Sequence, residues 1–177
     1  MESVFEFNKA LISRDVWGTR TKYHIFDEAG NLLLYIEQPA GFQLKASYLV
    51  YPSEQRRQKL LSIQQDKIIQ FLPRYSIADE GGQLIGRMKN KTFSVNTVWL
   101  LSDRGGIEVA SIEATEVMLG RPRMPNFKFM VKEKRIGEFQ KRGNNQYLLD
   151  LSSDSDKSVD RRLALASGII LDVATMK

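Results

Sequence analysis

The sequence predicts a mainly β fold, a closed antiparallel β-barrel around a central hydrophobic C-terminal α-helix. Two observations predict it. Most of the chain alternates apolar and polar residues at period two and is punctuated by Gly, Asp and Asn turns, the signature of antiparallel strands. From Asp160 to Met176 the chain is instead rich in helix formers and apolar nearly all round from Leu163 to Leu171, and a helix apolar on every face must be surrounded. The nine uncharged residues between Arg162 and Asp172 fall short of the roughly 20 needed to span a bilayer. Ala164, Ala166, Ser167 and Gly168 make the helix slim, so it suits the bore of a closed sheet.

The elements follow in order. Thr21 to Phe26 and Leu32 to Glu37 flank Asp27-Glu28-Ala29-Gly30-Asn31, where Gly30 supplies the positive φ of a tight hairpin. Tyr75 to Ala78 and Gln83 to Lys89 flank Asp79-Glu80-Gly81-Gly82 in the same way. Phe93 to Leu101 runs to a turn at Asp103-Arg104-Gly105-Gly106, and Ile107 to Ile112 follows. Pro122 and Pro125 break regular structure ahead of strands at Phe127 to Val131, Arg135 to Gln140 and Gln146 to Leu151. The first two hairpins repeat at an offset of 52, with Ile25-Phe26-Asp27, Gly30 and Leu32 over Ile77-Ala78-Asp79, Gly82 and Leu84. A fainter third copy is expected over Val131 to Gly137, where Ile136-Gly137 echoes Ile85-Gly86. Such repeats suit a meander or barrel better than a doubly wound sheet.

A chain of 177 residues with 42% hydrophobic residues suits one domain over residues 1–177. Having no cysteine and His24 as its one imidazole, it holds no disulfide framework, thiolate nucleophile, Cys-ligated zinc or multi-His metal site. No Gly-x-Ser-x-Gly elbow, P-loop or dinucleotide glycine pattern occurs. The chain is therefore read as a non-enzyme that needs no cofactor. The start, Met1-Glu2-Ser3-Val4-Phe5-Glu6-Phe7, carries acid where a signal peptide carries base. A cytoplasmic protein with peripheral membrane attachment is expected, and the sequon Asn90-Lys91-Thr92 reads as a coincidence.

Three stretches together resemble the tubby C-terminal-like superfamily, with the likeness lying toward the LURP-one-related and phospholipid-scramblase-like proteins. They are Tyr23-His24-Ile25-Phe26-Asp27-Glu28-Ala29-Gly30-Asn31-Leu32, the unit ending Leu84-Ile85-Gly86, and the ending Val159-Asp160-Arg161-Arg162-Leu163-Ala164-Leu165-Ala166 through Ile169-Ile170-Leu171-Asp172. The resemblance covers about residues 20 to 175, on the scale of a whole domain. It implies twelve strands around a central helix, and action at membranes by binding anionic lipid rather than by catalysis.

The charge is unevenly distributed. Residues 1–118 hold 14 basic and 14 acidic side chains, whereas residues 119–142 hold 8 basic ones against Glu133 and Glu138. Arg121, Arg123, Lys128, Lys132, Lys134 and Arg135 form the centre of this excess. Strand alternation sets Lys128, Met130 and Lys132 opposite Phe127, Phe129 and Val131. Arg87, Lys89 and Lys91 repeat the pattern on another strand. Such stripes attract phosphate, and these nine residues form the expected anion-binding set. Phosphoinositide-like headgroups are the first partner, and nucleic acid or a docked protein is the alternative, with Phe127, Phe129 or Tyr75 as a platform. The competing reading is a solvated face that blunts a strand edge. A monomer is expected.

Asp150, Asp154, Asp156 and Asp160 precede the helix, about where scramblase-like proteins carry a proposed calcium-binding segment. A calcium loop starting at Asp154 needs glycine at its sixth position and Glu at its twelfth, where this chain has Val159 and Leu165. No metal is expected, Asp154, Asp156 and Asp160 being the only weak candidates, and helix capping by Ser155, Asp156, Ser158 and Asp160 is the stronger reading. Asp172 interrupts the apolar helix near its end and is expected to emerge at the barrel mouth, the alternative being burial with an Arg or amide partner. His24 reads as structural. Glu113 and Glu116 come close if their stretch is helical, but nothing nearby makes them an acid–base pair.

Overall fold

The structure, a computed structural model, describes residues 2–18, 20–41, 44–67, 72–91, 97–115 and 125–175. Twelve strands form one closed antiparallel barrel: β1 (Lys9–Trp17), β2 (Arg20–Phe26), β3 (Leu32–Glu37), β4 (Ser47–Tyr51), β5 (Leu61–Gln65), β6 (Arg74–Asp79), β7 (Leu84–Asn90), β8 (Val98–Asp103), β9 (Glu108–Ala114), β10 (Phe127–Val131), β11 (Lys134–Gly143) and β12 (Gln146–Asp150). Each strand pairs with the next, and β1 closes the ring on β12 with Ala10 opposite Leu149 and Ile12 opposite Tyr147. Closure leaves no unpaired sheet edge. The helix α1 (Arg161–Thr175) runs through the bore, and every residue from Leu163 to Asp172 is buried. Inward strand residues such as Ile25, Leu34, Ile63, Ile77, Phe129 and Leu149 pack with Leu165 and Ile169 in one core.

Three strands escape the period-two pattern, and the reason lies inside the barrel. On β1 the side chains of Ala10 and Ile12 are buried, but the next inward position is Arg14, which reaches Asp172. On β5 the third inward position is Gln65, whose Oε1 accepts from the Ala46 amide. β4 reads Ser-Tyr-Leu-Val-Tyr, with too few polar residues to alternate. The expected strand over Phe93 to Leu101 begins at Val98, and residues 92–96 lie outside the described residues. Glu113 is on β9 rather than a helix, while Glu116 lies outside the described residues.

The meander reverses at every strand, so its connections fall at two ends. At the end where α1 begins, three turns share one construction. Asp27, Asp79 and Asp103 each accept from the backbone amide four residues on, at 2.8, 2.8 and 2.9 Å. Gly30, Gly82 and Gly106 take the left-handed position, with φ of 84°, 81° and 83°, which a side chain disfavours. A fourth copy is Asp154 to Ser158, with Lys157 at φ 48° and the Ser158 amide 2.8 Å from Asp154. The turn repeat therefore continues at Asp103 and Asp154; within Val131 to Gly137, expected as its third copy, the chain makes a two-residue turn without the aspartate.

The likeness of Ile136-Gly137 to Ile85-Gly86 has a different origin. In both hairpins the register slips by one residue, leaving Ile85 and Ile136 as the extra residues, and the glycine after each is buried. A Cβ on Gly86 would overlap the Ser102 carbonyl oxygen and the Leu163 methyls. Gly168 on α1 is less confined, since a Cβ there meets the edge of the Phe139 ring at 3.0 Å.

Replacing Leu165, fully buried on α1, with Asp strands a charge in the core and costs several kcal/mol, about enough to unfold a marginal domain. A soluble Leu165→Asp protein with a cooperative melt would contradict the plugged barrel. Gly86→Ala forces backbone apart and costs about 1–3 kcal/mol, more than Gly168→Ala. Urea denaturation of the two alanine variants checks the order, and equal midpoints would remove the close-approach argument.

Candidate anion-binding surfaces

The ends of α1 decide which charges are free. Arg161, in its first turn, is 5% exposed; it donates to Asp154 Oδ2 at 2.6 Å, to the Phe7 carbonyl at 3.0 Å and to the carbonyls of Val159 and Asp154 at 3.2 Å. Asp154 also accepts from the amides of Ser158 and Val159. Burial pulls its carboxyl up, but the Arg161 guanidinium and those amides outweigh burial and hold it below the usual range. Asp160 is the helix cap, its Oδ1 2.9 Å from the Arg162 amide and its carbonyl accepting from Ala164. Of the expected capping residues, Ser155 and Asp156 instead bond to each other at 3.3 Å. No group of three His, Asp or Glu side chains among the described residues could hold a metal ion.

At the other end of the helix Asp172 is buried, not at the mouth. Arg14 of β1 donates to its two oxygens at 3.0 and 3.1 Å, and the Tyr23 hydroxyl to Oδ2 at 2.8 Å. Burial, then the Asp172 charge, push the Tyr23 phenol well above its ordinary value, so it remains a donor. Tyr48 beside it is pushed up to about 12 by burial. The physical reason for the difference from expectation is the partner: an inward Arg on a strand 158 residues away supplies the compensating charge that burial demands.

Of the nine basic residues expected as one anion-binding set, the seven described ones divide among three places. Lys128 is on the outer face of β10, but Glu113 and Glu138 stand opposite it on both flanking strands, and its Nζ is 3.2 Å from Glu113. Arg135 is paired with Glu138. Lys132 is not on the same strand face as Lys128: it occupies the β10–β11 turn with φ 56°. Lys132 and Lys134 thus lie at the end where α1 begins. Arg87 is half-buried on the outer wall, with Lys89 and Lys91 further along toward the end where α1 finishes. Arg121 and Arg123 lie outside the described residues.

The rim where α1 finishes carries a charge pattern that the linear sequence disperses. Arg20, Lys67, Lys89, Lys91, Lys141 and Arg142 are exposed there, and none of them makes an ion pair with a described residue. Of the described acids of this end, Glu37 is paired with Arg56, Asp66 with Arg74 and Asp172 with Arg14, and Asp15 lies 3.5 Å from His24 Nδ1, an ion pair only with a protonated ring. Val16 at 52%, Leu44 at 61% and Leu72 at 36% exposure share the rim. The helix ends here too, so its negative dipole end faces the cations. The only sequence signal for this rim is strand parity, which assigns each loop to one end.

At the opposite end, the β10–β11 turn and the Asp154 to Ser158 turn enclose a surface cleft of about 530 Å³ lined by Val131, Lys132, Lys134, Ile136, Ser155 and Asp156 among others. His24 is outside the bore, its Nε2 2.8 Å from Glu54 and its Nδ1 3.5 Å from Asp15. No helix among the described residues is long and apolar enough to cross a membrane.

A family model described as LURP-one-related matches residues 9–172. That span includes all twelve strands and most of α1. A search of curated proteins finds no match to the chain.

Two outcomes test the electrostatics of the helix ends. Asp172→Leu and Arg14→Met each leave one member of a buried pair alone and cost about 3–5 kcal/mol, while the double variant that combines them regains a large part of it. Costs that simply add in a double-mutant cycle would show that the two residues do not act as a unit. Asp154 has a depressed carboxyl, so its contribution is present above the unfolded value near pH 4 and is lost as pH falls through the lower folded value. The urea midpoint should drop on acidification below about pH 4, and less steeply in Asp154→Asn.

Proposed function

Because the chain belongs to the LURP-one-related family, we propose that it is a non-enzymatic module that docks peripherally on anionic phospholipid headgroups through the rim where α1 finishes. The observation that carries this is the imbalance at that rim: six exposed cations without an acidic partner among the described residues, beside Glu37, Asp66 and Asp172, each paired with an arginine. Unpaired ammonium and guanidinium groups raise the local potential and draw an acidic bilayer over a Debye length of about 8 Å at physiological salt. The exposed Val16, Leu44 and Leu72 give the same rim apolar side chains that can enter the headgroup layer. Four of the six connections longer than five residues are on the side of the cations, and binding residues concentrate on such connections.

Within the expected set this reading retains Lys89 and Lys91 and gives Lys128 and Arg135 structural work as partners of Glu113 and Glu138. The absence of a nucleophile, base and cofactor motif in the sequence supports binding over catalysis.

Sedimentation with liposomes of neutral and acidic lipid tests the reading. Each rim cation near an acidic membrane is worth about 1 kcal/mol, so Lys89→Glu with Arg142→Glu should weaken attachment to acidic liposomes tenfold or more, with an unchanged thermal melt. Lys132→Glu with Lys134→Glu, at the other end, should leave attachment intact. If the parent protein ignores acidic liposomes at low salt but retards duplex or single-stranded nucleic acid with a steep salt dependence, nucleic acid replaces lipid as the partner.

A further inference from the structure

We infer that the cleft between the β10–β11 turn and the Asp154 to Ser158 turn binds a small zwitterion, an aminoalkyl phosphate whose phosphate meets Lys132 and Lys134 and whose ammonium meets Asp156. Its volume of about 530 Å³ falls in the range of small-molecule sites. Val131 and Ile136 supply an apolar part of the lining, and the charged groups come from two separate segments of chain.

The charges are the decisive feature. Lys132, Glu133, Lys134 and Asp156 line one cleft, two of each sign, yet none of them makes an ion pair within 4.0 Å with any described residue. All four are exposed, so the cleft presents charges of both signs that have no partner of opposite charge among the described residues. A ligand that carries both signs at its two ends satisfies both sets at once, whereas a simple anion or cation meets one set and is opposed by the other. The remaining acid of the lining, Asp154, is already neutralised by Arg161, so the balance of the cleft stays at two against two.

Ser155 donates to Asp156 at 3.3 Å, which orients that carboxylate, and the Ser158 hydroxyl is a further group of the lining. Lys132 is held at φ 56°, a conformation in which glycine is less strained than any L side chain. Two lysines suit a dianionic phosphate monoester, and an ammonium with three donors suits a carboxylate with neighbouring hydroxyls. An ammonium two carbons from a phosphate occurs with a dianionic monoester in free phosphoethanolamine and with a monoanionic diester in the headgroup of phosphatidylethanolamine. The site is at the end opposite the cationic rim and does not depend on it.

Isothermal calorimetry on the full chain tests this with phosphoethanolamine, inorganic phosphate and ethanolamine as probes. Phosphoethanolamine should bind at least about tenfold more tightly than either fragment. Lys132→Gln with Lys134→Gln should abolish the heat, and Asp156→Asn should weaken phosphoethanolamine about tenfold while leaving inorganic phosphate no weaker. The rim variant Lys89→Glu with Arg142→Glu should bind phosphoethanolamine as the parent does, which separates this site from the membrane reading. Competition by phosphatidylethanolamine vesicles, absent with phosphatidylcholine vesicles, would assign the site to a lipid headgroup, and its absence to a soluble metabolite. No saturable heat with phosphoethanolamine up to about 10 mM, equal affinity for inorganic phosphate, or indifference to the Lys132 and Asp156 substitutions would overturn the inference.

Discussion

The rest of the structure depends on an apolar helix held inside a closed sheet by one buried ion pair at each end. Arg161 with Asp154 secures the start of α1, and Asp172 with Arg14 secures its finish. From Leu163 to Leu171 the helix needs no polar partner beyond its own backbone; Ser167, the one hydroxyl in this stretch, donates to the Leu163 carbonyl at 2.7 Å. Removing water from two ion pairs is costly, and the geometry compensates with multiple donors: Arg161 meets both Asp154 and three backbone carbonyls, and Asp172 meets Arg14 and Tyr23.

Both ion-pair systems also involve the first strand and the residues before it. Arg161 bonds to Phe7, and Arg14 lies on β1. β1 in turn closes the sheet on β12, where the Arg14 amide meets the Asn145 carbonyl and the Leu151 amide meets the Asn8 carbonyl. The seam of the barrel and the seat of the helix are therefore one construction, built from the two extremes of the chain. Contacts of such sequence separation form slowly, because loop closure precedes the reward. The barrel reaches full closure only when the first strand meets both the last strand and the helix.

The alternation of strand direction then separates chemistry along the barrel axis. One end is made chiefly of aspartate turns that satisfy their own backbone, so their carboxylates are spent on structure. At the other end Glu37, Asp66 and Asp172 are spent on arginine partners, and six cations have no acidic partner among the described residues. What distinguishes the two ends is which charges are compensated, and net charge along the chain does not report that. Lys128, at the middle of the most basic stretch of sequence, is the clearest case: Glu113 and Glu138 flank it on neighbouring strands.

Much of the fold was legible in the sequence by itself. Period-two alternation located nine strands, the Asp-x-x-Gly pattern located the tight turns, and a helix apolar all round required an enclosure. These are local properties, and local backbone preference and burial pattern express them directly. β1 and β5 were not legible because Arg14 and Gln65 occupy inward positions, and the groups that make those positions tolerable, Asp172 and Ala46, belong to distant segments. The anion-binding set was legible as a composition and not as a surface. Compensation of a charge depends on neighbours across strands and between loops, so pairing separated Lys128 and Arg135 from the free cations, and strand direction sent Lys89 and Lys132 to opposite ends. A plugged barrel with surplus positive charge follows from local pattern and composition; which charges go without a partner among the described residues follows from the fold, because that is set by what each side chain meets in space.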